Sequence, residues 1–505
     1  ERAAEQSVCR ESAEAIVPVP WRGRAESKQQ YSLKLTNMEQ QNQDTLRQGL
    51  FDFEQAAPWV RLPAEDRGAI PRKEAEREGQ VFEAWREQLD WEERLLERVA
   101  NTANLEAASQ RVIANKGAAG VDGMSVAALK QWVKTGLGAM REQLLGGIYR
   151  HQGVRKKSIP KPNGDERILG IPTVIDRMVQ QAVLQVLTPM LDPQMSGSSY
   201  GFRPGRKAHD ALEAASRHVR EGYKVAVDLD LAKFFDTVNH DILMERLARR
   251  IKDKRLLWYI RQMLKAGMMD NEGVCQSREQ GTPQGGPLSP LLANILLDEL
   301  DRELERRGLR FCRYADDCII FVKTMEAGRR VLEAITRYIE GELRLKVNRE
   351  KSKVDKVWNC VYLGYIIGAG GKLRIAPKSV EKLKAKVRLI TRRGRALKLR
   401  EVIDELAPVL RGWVNYFRLA AIKKLCQAMD EWIRRRLRCY RLKQCRHPKG
   451  IRRFLESIGC KRKLRSGIVA MGCRWWHTAC SQPAHIAMDN AWLQREGLVS
   501  LSQYL

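Results

Sequence analysis

The chain has 505 residues, enough for two or three domains with hydrophobic cores of their own. Its 90 Lys and Arg residues against 61 Asp and Glu residues give a net charge of +29 at pH 7, which indicates a polyanionic partner. No apolar run approaches the roughly 20 residues that cross a bilayer, and no secretory signal opens the chain, so neither a membrane protein nor an exported one is expected.

The excess positive charge is concentrated in one segment. Residues 1–100 hold 15 basic and 20 acidic residues, whereas residues 371–470 hold 30 basic and 7 acidic, as expected for a nucleic-acid track. The 11 cysteines form no regular framework, which predicts free thiols in a reducing cytoplasm. Two sets of side chains are alternatives for zinc, but neither has paired Cys-x-x-Cys spacing and no zinc is predicted: Cys473, His477 and Cys480, and Cys439, Cys445 and His447.

The first 95 residues are interpreted as a partly flexible extension, because they include Pro, Gly and a Gln/Asn-rich run. Apolar residues at helical spacing predict a helix over residues 74–104. Residues 115–123 form a Gly-rich loop of the kind that cradles phosphate through backbone N–H groups, although such a loop alone has low specificity.

Residues 154–172 predict a β-hairpin, because Pro and an Asn-Gly pair supply a central turn. Lys161 and Arg167 would project from its two strands, and a charged, solvated hairpin is the alternative. A helix follows at residues 178–191. The loop at residues 200–206 combines Arg, aromatic and Gly residues, so Arg203 and Arg206 are candidates for backbone and stacking contacts with nucleic acid.

Residues 223–231 predict a strand in which Asp228 and Asp230 share one face. Downstream, residues 279–287 form a Gly- and Pro-rich loop whose Gln284 can bond a base or sugar, with an ordinary surface loop as the alternative. Leucines at every fourth position from 288 to 304 predict a core helix that opens at Pro287 and is capped by Gly308.

Residues 311–322 predict a second hairpin, with the sequence Tyr-Ala-Asp-Asp at its tip. The adjacent carboxylates of Asp316 and Asp317 repel each other unless a cation lies between them. If Asp230 lies beside them, the acids form an all-oxygen pocket for two hard cations. Such a pocket activates a primer 3′-hydroxyl and stabilises a pyrophosphate leaving group.

These segments, in their order and spacing, resemble a reverse transcriptase, specifically the group II intron-encoded reverse transcriptase/maturase family. The resemblance runs from about residue 105 to the C-terminus and is strongest to bacterial, group IIC-like members without an endonuclease domain. It implies an α+β right-hand polymerase, with fingers, an antiparallel palm sheet and an α-helical thumb/maturase domain. The implied boundaries are 1–95 for the extension, 96–222 for the fingers with a template-binding segment, 223–376 for the palm, 377–460 for the thumb and 461–505 for a DNA-binding-like tail.

The resemblance also assigns roles to individual residues. It favours Asp230 over Asp228 as the third acid, and the ligands of two catalytic Mg²⁺ ions would then be Asp230, Asp316 and Asp317. The incoming nucleotide would meet Lys161 and Arg167 at its triphosphate, Gln284 beneath its site, and the ring of Phe235 at its sugar, where the ring excludes a 2′-hydroxyl. A core position is the alternative for Phe235, and Phe234 is expected to take it.

Template and primer contacts would come from Arg203, Arg206, Asn348, Lys351, Leu363 and Gly364, the last two in a supporting strand at residues 361–365. Trp413 and Phe417, spaced i,i+4, are expected to pack between helices.

The implied function is RNA-directed DNA synthesis from a DNA primer with deoxynucleoside triphosphates, together with maturase assistance to splicing and mobility of group II intron RNA. Its partners would be that RNA, the RNA template with its DNA primer, and target DNA. No intrinsic second-strand nicking is expected, and the bacterial family implies a cytoplasmic location. Two alternatives stay open: a splicing-only RNA-binding maturase, and a domesticated relative in defence or DNA repair. The oligomeric state stays unassigned.

Overall fold

The computed structural model describes residues 72–87, 89–160, 166–269, 275–276, 278–472 and 474–504. Predictions for residues 1–71, for Lys161, for the side chain of Arg167 and for Cys473 lie outside the described residues. The chain divides into two compact units, one with the described residues up to Met190 and Met244–Ser289, the other with Leu191–Leu243 and the residues from Pro290 onward. Within the described part of the chain, no helix combines the length and apolar character that a bilayer crossing requires.

The helices and strands are numbered in chain order. The helices are α1 (Arg72–Glu87), α2 (Leu95–Ala100), α3 (Thr102–Ala114), α4 (Val126–Leu145), α5 (Val174–Leu191), α6 (Ala208–Arg220), α7 (Phe234–Thr237), α8 (His240–Ala248), α9 (Lys254–Lys265), α10 (Ser289–Arg306), α11 (Met325–Gly341), α12 (Pro377–Ile390), α13 (Leu399–Phe417), α14 (Lys423–Gln444), α15 (Pro448–Ser457), α16 (Arg462–Ala470), α17 (Trp475–Cys480), α18 (Gln482–Ala487) and α19 (Asn490–Arg495). The strands are β1 (Val154–Pro160), β2 (Glu166–Ile171), β3 (Val225–Leu229), β4 (Met268–Met269), β5 (Cys275–Gln276), β6 (Arg310–Tyr314), β7 (Asp317–Val322), β8 (Lys353–Lys356), β9 (Tyr365–Ile367) and β10 (Leu373–Ile375).

The first unit contains a small mixed sheet of order β2-β1-β4-β5. Strands β1 and β2 pair antiparallel up to Pro160 opposite Glu166, which confirms the predicted hairpin. The single helix predicted over residues 74–104 is wrong: α1, a 3₁₀ turn, α2 and α3 follow one another there. One break has a local cause, because the Asn101 side chain accepts a hydrogen bond from the Ala103 N–H and caps α3.

The second unit contains an antiparallel four-stranded sheet of order β6-β7-β3-β8, as expected for a palm. Helix α11 contacts β3, β7 and β8, and α6 contacts β6, so helices cover the sheet. The leucine stripe of α10 is buried as predicted, although the helix begins at Ser289, two residues after Pro287.

The helical region from α12 onward shares one hydrophobic cluster with the sheet. This cluster includes Phe321 on β7, Leu406 on α13, Leu437 on α14 and Leu501 near the C-terminus. The rings of Trp413 and Phe417 lie 4.9 Å apart between centroids within the same packing, which confirms a packing role for this pair.

The strand predicted at residues 361–365 is wrong, because the chain turns there. Leu363 and Gly364 have φ angles of 50° and 78°, in the left-handed region that strands exclude. Tyr362 and Tyr365 exchange two backbone hydrogen bonds of 2.9 Å, so the chain reverses over the two residues between them. The strand, β9, begins only at Tyr365 and pairs with β10.

Candidate active site

The hairpin of β6 and β7 ends in a two-residue turn. Tyr314 pairs with Asp317, which leaves Ala315 and Asp316 as the turn, and Ala315 has a φ of 58°. On the other side of β7, Leu229 pairs with Cys318. The next position in that register sets Asp230, immediately after β3, beside Asp317. The acids singled out from the sequence therefore converge at one end of the sheet.

The carboxylates at this end interact unfavourably. The Asp317 residue taken as a whole is exposed, yet the protein packed around its carboxyl group keeps water from that group. This burial, together with repulsion from Asp316, Asp228 and Asp230, raises the pKa of Asp317 to about 7. Burial likewise raises the pKa of Asp228 to about 6, with Lys353 opposing the shift and Asp230 adding to it. Ionised carboxylates at this site therefore repel one another, and a cation bound among them would relieve that repulsion.

The donor set suits a divalent cation for which the protein supplies only some of the ligands. Among the described residues, no three or more His, Cys, Asp or Glu side chains are gathered closely enough to hold a metal ion by themselves. Mg²⁺ is commonly held by one or two carboxylates, with substrate phosphates and waters completing its shell. An open group of repelling carboxylates fits that mode of binding.

A buried arginine holds the hairpin turn from behind. Arg313 on β6 is fully buried, and its guanidinium donates to both carboxylate oxygens of Asp301 on α10. Its Nη1 also donates to Oδ1 of Asn294 at 2.9 Å and to the Ala315 carbonyl at 2.9 Å. Asn294 in turn donates to the Gly201 carbonyl at 2.8 Å. Sequence reasoning missed this group, and its one local signal was an arginine among apolar strand residues.

The loop at residues 200–206 lies along the outer edge of β6. A Cβ atom on Gly201 would lie 2.2 Å from the Ala315 nitrogen, so the position admits only glycine without movement. Arg203 is buried, and its guanidinium donates to Asp192 and to the carbonyls of Ser196 and Ser199. These bonds favour a structural role for Arg203 over the expected template contact. Arg206, stacked 5.4 Å from the Tyr200 ring centroid, is less buried.

The residues expected at the nucleotide lie in different units. In the second unit, Phe234 is buried whereas Phe235 is half-buried, with the two rings 5.2 Å apart and edge to face. Phe234 therefore takes the core position, which leaves the Phe235 ring accessible. In the first unit, the carbonyl of half-buried Gln284 accepts a 2.9 Å hydrogen bond from the Gly170 N–H of β2.

The segment after α11 closes around the backbone of Asp230. The Asn348 N–H donates to the Asp230 carbonyl at 2.9 Å, and Ser352 Oγ accepts from the Asp230 N–H at 3.0 Å. Nζ of Lys351 lies 3.7 Å from Oδ2 of Asp230 in an exposed ion pair. Ser352 was not among the predicted site residues, because nothing near it in sequence indicates a partner 122 positions away.

Comparison with known proteins identifies the family. Residues 159–367 match the family model described as reverse transcriptase (RNA-dependent DNA polymerase), and residues 380–457 match the group II intron, maturase-specific domain. The chain belongs to the group II intron reverse transcriptase/maturase family. The predicted resemblance is confirmed. Membership implies an RNA-directed DNA polymerase that depends on a divalent metal and binds nucleic acid.

The relatives of this reverse transcriptase/maturase differ in the share of their own length that the alignment covers. Protein YkfC of Escherichia coli (strain K12) is 32% identical over 314 residues, which cover 54% of this chain and 82% of that protein. Group II intron-encoded protein LtrA of Lactococcus lactis subsp. cremoris is 34% identical over 259 residues, 49% of this chain but only 41% of that protein. Among solved structures, telomerase from Candida albicans is 12% identical with a TM-score of 0.39, over 62% of this chain and 63% of that one.

Proposed function

We propose that this reverse transcriptase/maturase extends a DNA primer on an RNA template, with Asp230, Asp316 and Asp317 as the ligands of two Mg²⁺ ions. The observation that carries the proposal is the convergence of β3 and the β6–β7 turn, which brings repelling carboxylates together within the matched reverse transcriptase region. Primer extension that depends on the RNA template and on a divalent cation tests it. Binding of the primed template without extension would contradict it.

The chain's own residues prepare the site by holding two parts of its backbone in place. Mg²⁺, when bound, lowers the pKa of the primer hydroxyl and stabilises the charge on the leaving pyrophosphate. Asn348 and Ser352 fix the backbone of Asp230, and Arg313 fixes the turn that carries Asp316. Preorganised carboxylates need no rearrangement during the reaction, which is the main source of electrostatic catalysis.

On the nucleotide side, we assign Lys161 and Arg167 to the triphosphate, Gln284 to the floor of the site and Phe235 to the sugar. For template and primer we retain Arg206, Asn348, Lys351, Leu363 and Gly364. For Arg203 we propose only that it shapes the loop beside Arg206, because its guanidinium is hydrogen-bonded to protein groups. Of the five proposed segments, the fingers and palm contain the matched range 159–367, and the thumb contains 380–457.

Phe235→Ala is expected to increase incorporation of ribonucleotides relative to deoxynucleotides by about tenfold, because removing the ring opens space at the sugar 2′ position. The ratio of kcat/KM for paired ribo- and deoxynucleoside triphosphates on one primed RNA template measures the effect. Phe235→Tyr keeps the bulk and is the matched control. An unchanged ratio in the alanine variant would remove Phe235 from the nucleotide site.

A maturase role is the second candidate function, and the strongly basic segment at residues 371–470 favours it. We propose that this segment binds the intron RNA through phosphate contacts. Helix α12 illustrates the surface, since its exposed lysines at positions 378, 382 and 386 recur at i+4 and share one face.

RNA affinity is expected to fall about a thousandfold between roughly 50 and 200 mM salt, because phosphate neutralisation releases counterions. Replacing Lys378, Lys382 and Lys386 by Gln should lower the slope of log K against log salt by about 2–3. Replacing the same three by Arg keeps the charge and should keep the slope. Equal slopes for the Gln and wild-type proteins, measured by fluorescence anisotropy, would exclude this face from RNA binding.

A further inference from the structure

The turn at Leu363 and Gly364 is held in an unfavourable conformation. Both residues have positive φ, and turns of that type prefer Asn, Asp or Gly at the position that Leu363 occupies. A residue strained in this way persists only where surrounding contacts determine it, and such strain is concentrated at functional sites. Leu363 and Gly364 are half-buried, so one side of the turn stays accessible to a ligand.

The contacts that determine the turn come from two directions. On one side, the Tyr362 hydroxyl donates to the Cys312 carbonyl of β6 at 3.2 Å, which ties the turn to the strand carrying the catalytic hairpin. On the other side, the Tyr416 hydroxyl of α13 donates to the Leu363 carbonyl at 2.8 Å. Gly364 is fixed as well, because its carbonyl accepts from the Ala376 N–H at 3.0 Å and from Ser379 Oγ at 3.1 Å.

Tyr416 is itself held in place from behind. Its carbonyl accepts hydrogen bonds from the Tyr365 hydroxyl and from Nε2 of His209 at 2.7 Å. Its ring lies edge to face with Phe417 at 4.9 Å between centroids. Burial raises the pKa of Tyr416, and the nearby Tyr314 and Asp317 add to the shift, so the hydroxyl stays protonated as a donor.

We propose that Tyr416, a residue of the maturase-specific domain, is a positioning residue for the primer terminus. It holds the Leu363–Gly364 turn at a fixed distance from the catalytic hairpin, so the sugar–phosphate backbone of the primer's last nucleotide rests on a rigid surface. The inference rests on the proposed function. It also makes the maturase-specific domain part of the polymerase site, since the matched reverse transcriptase region ends at residue 367 and Tyr416 lies beyond it.

Tyr416→Phe removes one donor atom and leaves the packing ring. It is expected to raise the apparent KM for primed RNA template about fivefold, the equivalent of one lost hydrogen bond, while the KM for deoxynucleotide changes less than about twofold. Tyr440→Phe is the matched control, because the Tyr440 hydroxyl also donates to backbone carbonyls of the same domain, those of Arg395 and Leu397. The two KM values of the Tyr440→Phe protein should stay at wild-type levels even if its melting temperature falls as far as that of the Tyr416→Phe protein.

Tyr365→Phe supplies a second test, because it removes the bond to the Tyr416 carbonyl and should raise the primer–template KM in the same direction by a smaller factor. A Tyr416→Phe protein that matches Tyr440→Phe in both KM values would overturn the inference. An increase shared equally by the primer–template and nucleotide KM values would also overturn it. Absence of extension by the wild-type protein would instead contradict the proposed function, so the two failures are distinguishable.

Discussion

Asp230→Asn is expected to lower primer extension on an RNA template at least about a hundredfold. The substitution removes a full negative charge from the proposed metal site, where a bound cation supplies several kcal/mol of transition-state stabilisation. Affinity for the primed template should stay within about twofold, because that binding depends on basic residues elsewhere. Single-turnover extension with saturating nucleotide measures the first quantity, and anisotropy without nucleotide measures the second.

The fold is expected to tolerate this change. Asp230 repels Asp317 and Asp228, so a neutral Asn relieves an unfavourable interaction, and the exposed pair with Lys351 contributes little. The melting temperature should therefore stay the same or rise. Asp404→Asn on the exposed side of α13 is the control for removal of one carboxylate. Extension by the Asp230 variant at the level of that control would defeat the catalytic assignment.

Arg313→Met is expected to lower the free energy of unfolding by about 3–5 kcal/mol, because it leaves the Asp301 carboxylate buried without its partner. The Ala315 carbonyl loses its donor in the same variant, so the catalytic turn should loosen as well. Urea unfolding measures the first effect. Arg310→Met, on the exposed end of the same strand, is the control and should change stability by less than about 0.5 kcal/mol.

The loss caused by Arg313→Met should depend on pH with a defined sign. Burial already favours the protonated form of Asp301, and loss of Arg313 raises the pKa of its carboxyl further. Because the folded protein then binds a proton that the unfolded chain releases, stability falls as pH rises above the unfolded value of about 4. The difference from wild type should be smallest at acidic pH. A destabilisation that does not change with pH would show that Asp301 is not the group left unpaired.

Much of the catalytic architecture follows from local sequence patterns. The alternation around Asp228 and Asp230 predicts a strand with both acids on one face, and the apolar runs around Asp316 and Asp317 predict a hairpin. Both elements form, because alternation at period two and a two-residue turn are properties of the nearest neighbours. The leucine helix α10 was likewise predictable from its period.

Other features had no local signature. Arg203 lies in a loop whose Arg, aromatic and Gly composition is typical of a nucleic-acid contact. Its guanidinium nevertheless donates hydrogen bonds to Asp192 and to two backbone carbonyls. Residues 361–365 have a strand-like apolar sequence, yet contacts from α12 and α13 hold Leu363 and Gly364 in a turn. For residues 361–365 the deciding partners lie elsewhere in the chain, so residue type alone predicted the wrong element. For Arg203, the bonds to protein groups favour a structural role that its residue type does not indicate.

The sequence by itself determined the order of the elements, the identity of the acidic residues and the family, because periodicity and motif spacing are written in consecutive residues. Only the tertiary structure decided which charges are satisfied internally, as with Arg313 on Asp301, and which residue holds the Leu363–Gly364 turn, as with Tyr416 on Leu363. The physical reason is that burial and hydrogen-bond satisfaction depend on groups brought together by folding, and residues 12 or 53 positions apart carry no mark of their pairing.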